Sequence, residues 1–200
     1  MMKGIFSAIL LLGVGLANLA LNPSSQKEKA EIIARGQYLV SVGDCNGCHT
    51  PPKYTAQGPI PDSSRFLSGY PVTAPVPEVP LNVIGPGKWA ALWSWEGTAF
   101  AGPWGVSFPR NLTPDTATGL GSWTADMFIK ALRTGKDMGE GRDILPPMPW
   151  QTFGKMTDED LKAIFAYLGT LKPIENAVPD PLSPTGERLP TGKSRKLPPK

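Results

Sequence analysis

The segment Gly43-Asp44-Cys45-Asn46-Gly47-Cys48-His49 contains both cysteines of the chain and its only histidine. Two residues separate the thiols and the imidazole follows directly, which gives the pattern Cys-x-x-Cys-His. Thiols three positions apart on a helical turn project from one face of that turn. Because no other histidine exists, any site that needs an imidazole must use His49.

Cys-x-x-Cys-His is the attachment signature of c-type haem. Cys45 and Cys48 would form thioethers with the two vinyl groups of one porphyrin, and His49 would bind its iron. We therefore expect one covalent haem c. Three alternatives use the same atoms and stay open: a zinc site completed by a carboxylate, a redox-active dithiol, and a Cys45–Cys48 disulfide in a non-haem interaction module.

Helical patterns lie on both sides of this motif. Residues 26–44 carry apolar side chains at helical spacing and predict a helix that leads into it. Gly36 costs about 1 kcal/mol relative to alanine inside a helix, so its presence predicts a second helix that crosses closely. The best partner is residues 157–173, with Thr157 as N-cap and Pro173 as the stop. A third helix is predicted from Thr124 to Gly135.

Two longer motifs frame the haem signature. They are Arg35-Gly36-Gln37-Tyr38-Leu39 and the stretch from Asn111-Leu112-Thr113-Pro114-Asp115 through Thr118-Gly119-Leu120-Gly121-Ser122-Trp123. On these residues the chain resembles class I c-type cytochromes, and more closely the cytochrome c domains of bacterial dehydrogenase electron-transfer subunits. The match covers residues 30–50 and 108–173.

The resemblance implies an all-α class I cytochrome c fold over residues 26–178. A long irregular Gly/Pro/Trp-rich insertion would lie between the haem motif and the later helices. The resemblance also implies that His49 donates its other ring proton to a carbonyl of Gly58-Pro59, with Pro51 and Pro52 as alternatives. Asn111 and Thr113 would either bind the haem propionates or shape a turn.

Methionine is the usual sixth ligand of such an iron. Four candidates follow the N-terminal segment: Met127, Met138, Met148 and Met156. Helix packing accounts for Met127 and Met156, and Met138 lies in a pliant polar loop, which makes it the second choice. Prolines on both sides of Met148 hold its backbone extended, and the family's Pro-Met-Pro loop favours the same residue. His49 and Met148 are therefore the predicted axial ligands.

The insertion is rich in Gly and Pro, of which the chain has 22 and 23, and it carries four of the six tryptophans. These are Trp89, Trp93, Trp95 and Trp104. We interpret the indoles as a lid over one haem edge, and the alternative is an aromatic surface for a partner.

The two ends of the chain differ in character. Residues 1–20 carry Lys3 and then an apolar run that closes in small residues, which predicts a signal peptide; the alternative is an uncleaved anchor helix. Either outcome places the protein in the periplasm or otherwise outside the cytoplasm, and the second would keep it on the membrane. Residues 179–200 are predicted to be a flexible basic tail, which is either a peripheral contact for anionic lipid or an acidic partner, or simply a solvated end.

These features predict an electron carrier and not an enzyme. With His49 and Met148 on the iron, no coordination position is left for oxygen or peroxide. Donor and acceptor would be redox partner proteins, and no nucleic acid is expected. The alternative is a haem peroxidase or gas-binding sensor in which Met148 is labile or absent from the iron.

Overall fold

The computed structural model describes residues 23–76, 78 and 82–189. Its helices are α1 (Pro23–Val42), α2 (Cys45–His49), α3 (Ala125–Thr134), α4 (Trp150–Phe153) and α5 (Asp158–Leu168). Its strands are β1 (Pro52–Thr55), β2 (Gly58–Pro61), β3 (Leu92–Trp93), β4 (Phe100–Gly102) and β5 (Gly105–Ser107). None of the helices within these residues is long and apolar enough to cross a membrane. The predicted signal peptide or anchor at residues 1–20 lies outside the described residues.

Helices α1 and α5 cross at Gly36, as predicted from the presence of a glycine inside the first helix. A Cβ placed on Gly36 would lie 1.9 Å from the carbonyl oxygen of Ala163. Beside the crossing, the Arg35 guanidinium donates to both carboxylate oxygens of Asp160, at 2.9 and 3.2 Å. The crossing brings the end of α1, and with it the Cys-x-x-Cys-His turn, next to the last helix.

The predicted caps of α3 and α5 are confirmed. The Thr124 hydroxyl accepts from the backbone N–H of Met127, and the Thr157 hydroxyl accepts from that of Asp160. Gly135 ends α3 with φ of 67°, the left-handed conformation that glycine adopts without strain. These local contacts depend only on neighbouring residues, which is why the sequence could predict them.

The all-α prediction is wrong, because the insertion forms two antiparallel sheets. β1 pairs with β2, and β3, β4 and β5 form a second sheet in that order. Gly58 follows the β1–β2 turn with φ of 113°, and Gly105 opens β5 with φ of 98°. Glycine and proline disfavour helix, but both are compatible with short hairpins because glycine suits the tight turns between the strands.

Part of the segment predicted as a basic tail packs against this second sheet. Val106 and Leu182 exchange backbone hydrogen bonds of 3.0 and 2.9 Å. Leu189 donates to the carbonyl of the fully buried Pro181. Residues 179–189 are thus in contact with the folded body through their backbone, whereas residues 190–200 lie outside the described residues.

Two apolar clusters form the core. The first joins α1, α3 and α5 and includes Leu39, Phe128, Leu132, Leu161 and Ile164. The second surrounds the β4–β5 hairpin and consists of Tyr70, Ala99, Ala101, Val106 and Phe108. Both clusters contribute residues to the wall of the same cavity.

Candidate cofactor site

One cavity brings together all four residues that the sequence predicts for haem binding. Its volume is about 410 Å³, within the range of small-molecule sites. Cys45, Cys48, His49 and Met148 all line it. Of the methionines that the structure describes, only Met148 does so.

The turn before the cysteines is fixed by Asp44. This residue has a left-handed backbone with φ of 48°, and its carboxylate accepts from the N–H of Gly47 at 3.2 Å. A Cβ on Gly47 would lie 2.4 Å from the same carboxylate, so a larger residue between the cysteines would displace the Asp44 side chain from this cap. The sharp turn separates α2 from α1 and presents both thiols and the imidazole to the cavity.

Burial keeps both thiols protonated in the free polypeptide. It raises the pKa of Cys45 to about 11 and also raises the pKa of Cys48. Redox-active dithiols depend on the opposite shift, because the thiolate is the reactive species. These pKa directions disfavour the dithiol alternative. Among residues 23–76, 78 and 82–189, no three His, Cys, Asp or Glu side chains are grouped to hold a metal ion.

His49 is buried, and its Nδ1 lies 2.7 Å from the carbonyl oxygen of Arg110. A carbonyl can only accept, so Nδ1 carries the proton and Nε2 keeps its lone pair. Burial lowers the pKa of His49 to about 4, which keeps the ring neutral at physiological pH. A neutral imidazole with a free Nε2 is the form that binds iron.

The predicted acceptor for His49 is therefore wrong. Gly58 and Pro59 belong to β2 and pair with β1. Instead, the adjacent residues Gly69 and Tyr70 connect His49 to the loop at Pro109 through backbone hydrogen bonds. The N–H of Gly69 donates to the carbonyl of His49, and the N–H of Tyr70 donates to the carbonyl of Pro109. The meeting of these loops, which are distant in sequence, places the Arg110 carbonyl against the imidazole.

Arg110 contributes its side chain to the same wall. Its guanidinium binds the Asp137 carboxylate and stacks over the Trp123 ring at 4.8 Å, and all three residues line the cavity. Next to Arg110, the fully buried Asn111 and Thr113 bond to each other and both donate to the Ile174 carbonyl. Neither lines the cavity, so of the two roles proposed for them the structure supports the turn-shaping one.

The loop that carries Met148 is held at two points. The Ser107 hydroxyl at the end of β5 donates to the carbonyl of Pro146. Ile144 donates its N–H to the carbonyl of Gly135 at 2.7 Å. Sequence reasoning missed Ser107, because a hydroxyl that reaches a carbonyl 39 positions away leaves no local pattern.

The tryptophans do not form a lid over the cavity. Trp89, Trp93 and Trp95 are 66%, 60% and 75% exposed, and neither they nor Trp104 line the wall. The insertion instead covers the cavity with Phe100 and Phe108, which are buried and belong to the β4–β5 region. The lid interpretation is wrong for the indoles and applies to these two phenylalanines.

The residues present fit a c-type haem. The wall offers two thiols, a neutral imidazole with a free lone pair and a thioether, set among apolar side chains. Arg110 and its ion-pair partner Asp137 supply a charged part of the same wall. Leu112, Leu120 and Leu132 supply part of the apolar surface that a porphyrin needs.

Comparisons with known proteins point to the same group. No family model matches the chain. The fructose dehydrogenase cytochrome subunit of Gluconobacter japonicus is 28% identical over 174 residues, which are 86% of this chain and 28% of that protein. The gluconate 2-dehydrogenase cytochrome c subunit of Pantoea cypripedii is 28% identical over 189 residues, with 92% and 33% covered. The cytochrome c subunit of the quinone-dependent alcohol dehydrogenase of Gluconobacter oxydans is 27% identical over 190 residues, with 92% and 31% covered.

The side chains of the cavity wall and the three relatives point to the same class of protein. The resemblance predicted from the motifs is confirmed: this chain is similar to the cytochrome subunits of dehydrogenases. The chain spans about a third of the length of these three cytochrome subunits.

Proposed function

We propose that this chain is an exported, single-haem c-type cytochrome that passes single electrons between redox partner proteins. Cys45 and Cys48 form the thioethers, and His49 and Met148 bind the iron. When bound, the haem supplies an iron that alternates between the ferrous and ferric states. The observation that best supports the proposal is the cavity lined by all four of these side chains.

The surrounding residues set the properties of this site. The Arg110 carbonyl orients the imidazole and increases the donor strength of Nε2. Ser107 holds the Met148 loop, so the thioether is positioned before the iron binds. The buried side chains of Phe100 and Phe108 exclude water from the cavity. A soft thioether ligand and a dry wall both favour the reduced state.

The immediate donor in this proposal is a dehydrogenase. The names of the relatives, which are cytochrome subunits of fructose, gluconate and alcohol dehydrogenases, support this part of the proposal. The apolar run of residues 1–20 supports export, and the basic residues within 190–200 offer a peripheral contact with anionic lipid. The chain itself needs no catalytic residue for this task, because the transfer of an electron makes and breaks no bond.

The test is production of the protein with haem-maturation machinery, followed by a reduced-minus-oxidised spectrum and a mass. We expect a red protein one haem heavier than its processed polypeptide, with haem that stays attached after denaturation. Cys45→Ala and Cys48→Ala should each leave one thioether. Colourless protein from a competent host would contradict the proposal.

Ligation by Met148 has its own variant. Met148→Ala should remove the weak sulfur-to-iron band near the red end of the ferric spectrum, and Met138→Ala is the matched control that should keep it. A band that persists in Met148→Ala contradicts the assignment. Rapid binding of carbon monoxide to the reduced wild type at neutral pH would instead favour the peroxidase or sensor alternative.

A further inference from the structure

Three exposed aromatic residues lie on the two hairpins of the insertion, two of them in contact and the third two positions before one of that pair. Tyr54, Trp93 and Trp95 are 45%, 60% and 75% exposed, and we call them the aromatic face. Tyr54 and Trp95 stack in parallel, with ring centroids 4.6 Å apart and an interplanar angle of 6°. The Tyr54 hydroxyl also donates to the carbonyl of Trp95. These contacts join the first sheet to the β3–β4 turn and hold the rings in place.

Trp93 connects this face to the cavity. It is the cross-strand neighbour of Phe100, and the two rings stack with centroids 5.4 Å apart. The indole N–H of Trp93 donates to the carbonyl of Gly97, which fixes its orientation on the hairpin. Phe100 is buried and lines the cavity wall. Two stacked rings therefore run from solvent to the predicted haem pocket.

The hairpins around the aromatic face carry little charge. Lys53, Lys88 and Glu96 are the charged residues of β1, β2 and residues 82–102, and they differ in sign. Exposed aromatic clusters of this kind mark interaction surfaces, and tryptophan and tyrosine often supply most of the binding energy there. A partner for such a face would be recognised mainly by apolar contact.

We propose that the aromatic face docks a redox partner protein through an apolar, weakly charged surface, and that the electron passes between partner and haem by way of Trp93 and Phe100. This inference rests on the proposed function. One electron leaves a reduced redox centre of the partner and the ferric iron becomes ferrous, while no bond forms and no proton moves. Because tunnelling weakens steeply with distance, a partner docked on Trp93 is favoured by lying only two stacked rings from the cavity.

The experiment uses haem-loaded protein on gold electrodes that carry methyl-terminated or carboxylate-terminated monolayers. The methyl-terminated surface represents an apolar partner face. Adsorbed mass, measured with a quartz crystal microbalance, reports docking, and cyclic voltammetry reports the electron-transfer rate. The variants are Trp93→Ala, the conservative Trp93→Phe, and Trp89→Ala as a control of equal residue type and similar exposure.

We expect tight, salt-insensitive adsorption and fast transfer on the methyl-terminated surface. Trp93→Ala should weaken adsorption about tenfold, as for the loss of one interfacial hot-spot residue. It should also slow the transfer, whereas Trp93→Phe recovers most of the rate and Trp89→Ala leaves it unchanged. A haem spectrum and melting temperature equal to those of the wild type show that the Trp93→Ala protein is folded.

Several results would overturn the inference. Fast transfer only on the carboxylate-terminated surface, or equal effects of Trp89→Ala and Trp93→Ala, would place docking elsewhere. Flotation of the wild type, but not of Trp93→Ala, with neutral phosphatidylcholine vesicles would show that the face binds lipid and not protein. A protein without any voltammetric wave would instead contradict the proposed function itself, so the two failures are distinguishable.

Discussion

Replacing Gly36 with alanine separates helix propensity from helix packing. Within an isolated helix this change is favourable by about 1 kcal/mol. In the folded protein, however, the new methyl group would lie 1.9 Å from the Ala163 carbonyl oxygen and 2.8 Å from the Cβ of Tyr167. Both obstacles are backbone or backbone-proximal atoms, so no side-chain rotation relieves the overlap, and α1 and α5 must move apart.

The expected net effect is a loss of stability. Overpacking typically costs about 1–3 kcal/mol, and the backbone obstacle places this site at the upper end, so a cost of about 3 kcal/mol less the gain of about 1 kcal/mol in helix propensity leaves a net loss near 2 kcal/mol. A net loss near 2 kcal/mol corresponds to a fall in melting temperature of about 4–8 °C for a chain of this size. Far-UV circular dichroism and haem absorbance of the ferric holoprotein, recorded during the same thermal scan, measure it.

Gly169→Ala is the matched control for this prediction. Gly169 ends α5 with φ of −66°, and the nearest atom to a Cβ there is the Ala166 carbonyl oxygen at 3.3 Å. Alanine fits this backbone and should be neutral or stabilising by up to about 1 kcal/mol. Equal or higher stability of Gly36→Ala relative to the wild type would refute the close crossing of α1 and α5.

Two further changes test the site and its surroundings. Ser107→Ala removes the hydroxyl that holds the Pro146 carbonyl, a loss of about 1 kcal/mol. It should therefore raise carbon monoxide binding by the reduced protein about fivefold. Unchanged binding would show that the Met148 loop needs no support from β5. Hydrogen bonds from Thr118 and from the Ala117 N–H lower the pKa of Asp115 below its ordinary value, so the stability that they confer is present above that value and is lost as pH falls through the lowered pKa. Asp115→Asn should therefore lose less unfolding free energy than the wild type on acidification from about pH 5 to pH 2, measured by chemical denaturation at each pH.

The features predicted correctly from the sequence are those with local or chemically unique causes. The caps at Thr124 and Thr157 depend on residues three positions away, and Gly36 indicates a close contact because glycine is otherwise costly in a helix. His49 had no competitor of its type in the chain. Met148 stood out among four methionines because prolines restrict its backbone, and the structure places it in the same cavity wall as His49; that the two residues bind iron stays a prediction.

The insertion could not be predicted, because its structure depends on backbone pairing and contacts distant in sequence. Its strands are two to four residues long, too short for an alternating pattern to be distinguished from chance. Glycine and proline indicate that helix is absent, yet they do not specify which strands pair. The exposure of Trp93 and Trp95 depends on how the hairpin is oriented relative to Phe100. The local sequence does not specify this orientation either.

The segment that is hardest to interpret from the sequence supports both predicted iron ligands. At its end, the Ser107 hydroxyl holds the Pro146 carbonyl, two residues before Met148. Three residues later, the Arg110 carbonyl accepts the Nδ1 proton of His49. Residues 107–110 are therefore a short brace between the loop of the thioether and the imidazole. Since Ser107 belongs to β5, and β5 pairs with β4, a displacement of this small sheet would move the supports of both ligands together. The insertion thus couples the spacing of the predicted axial ligands to the hairpin that carries Phe100 and, through it, to the aromatic face.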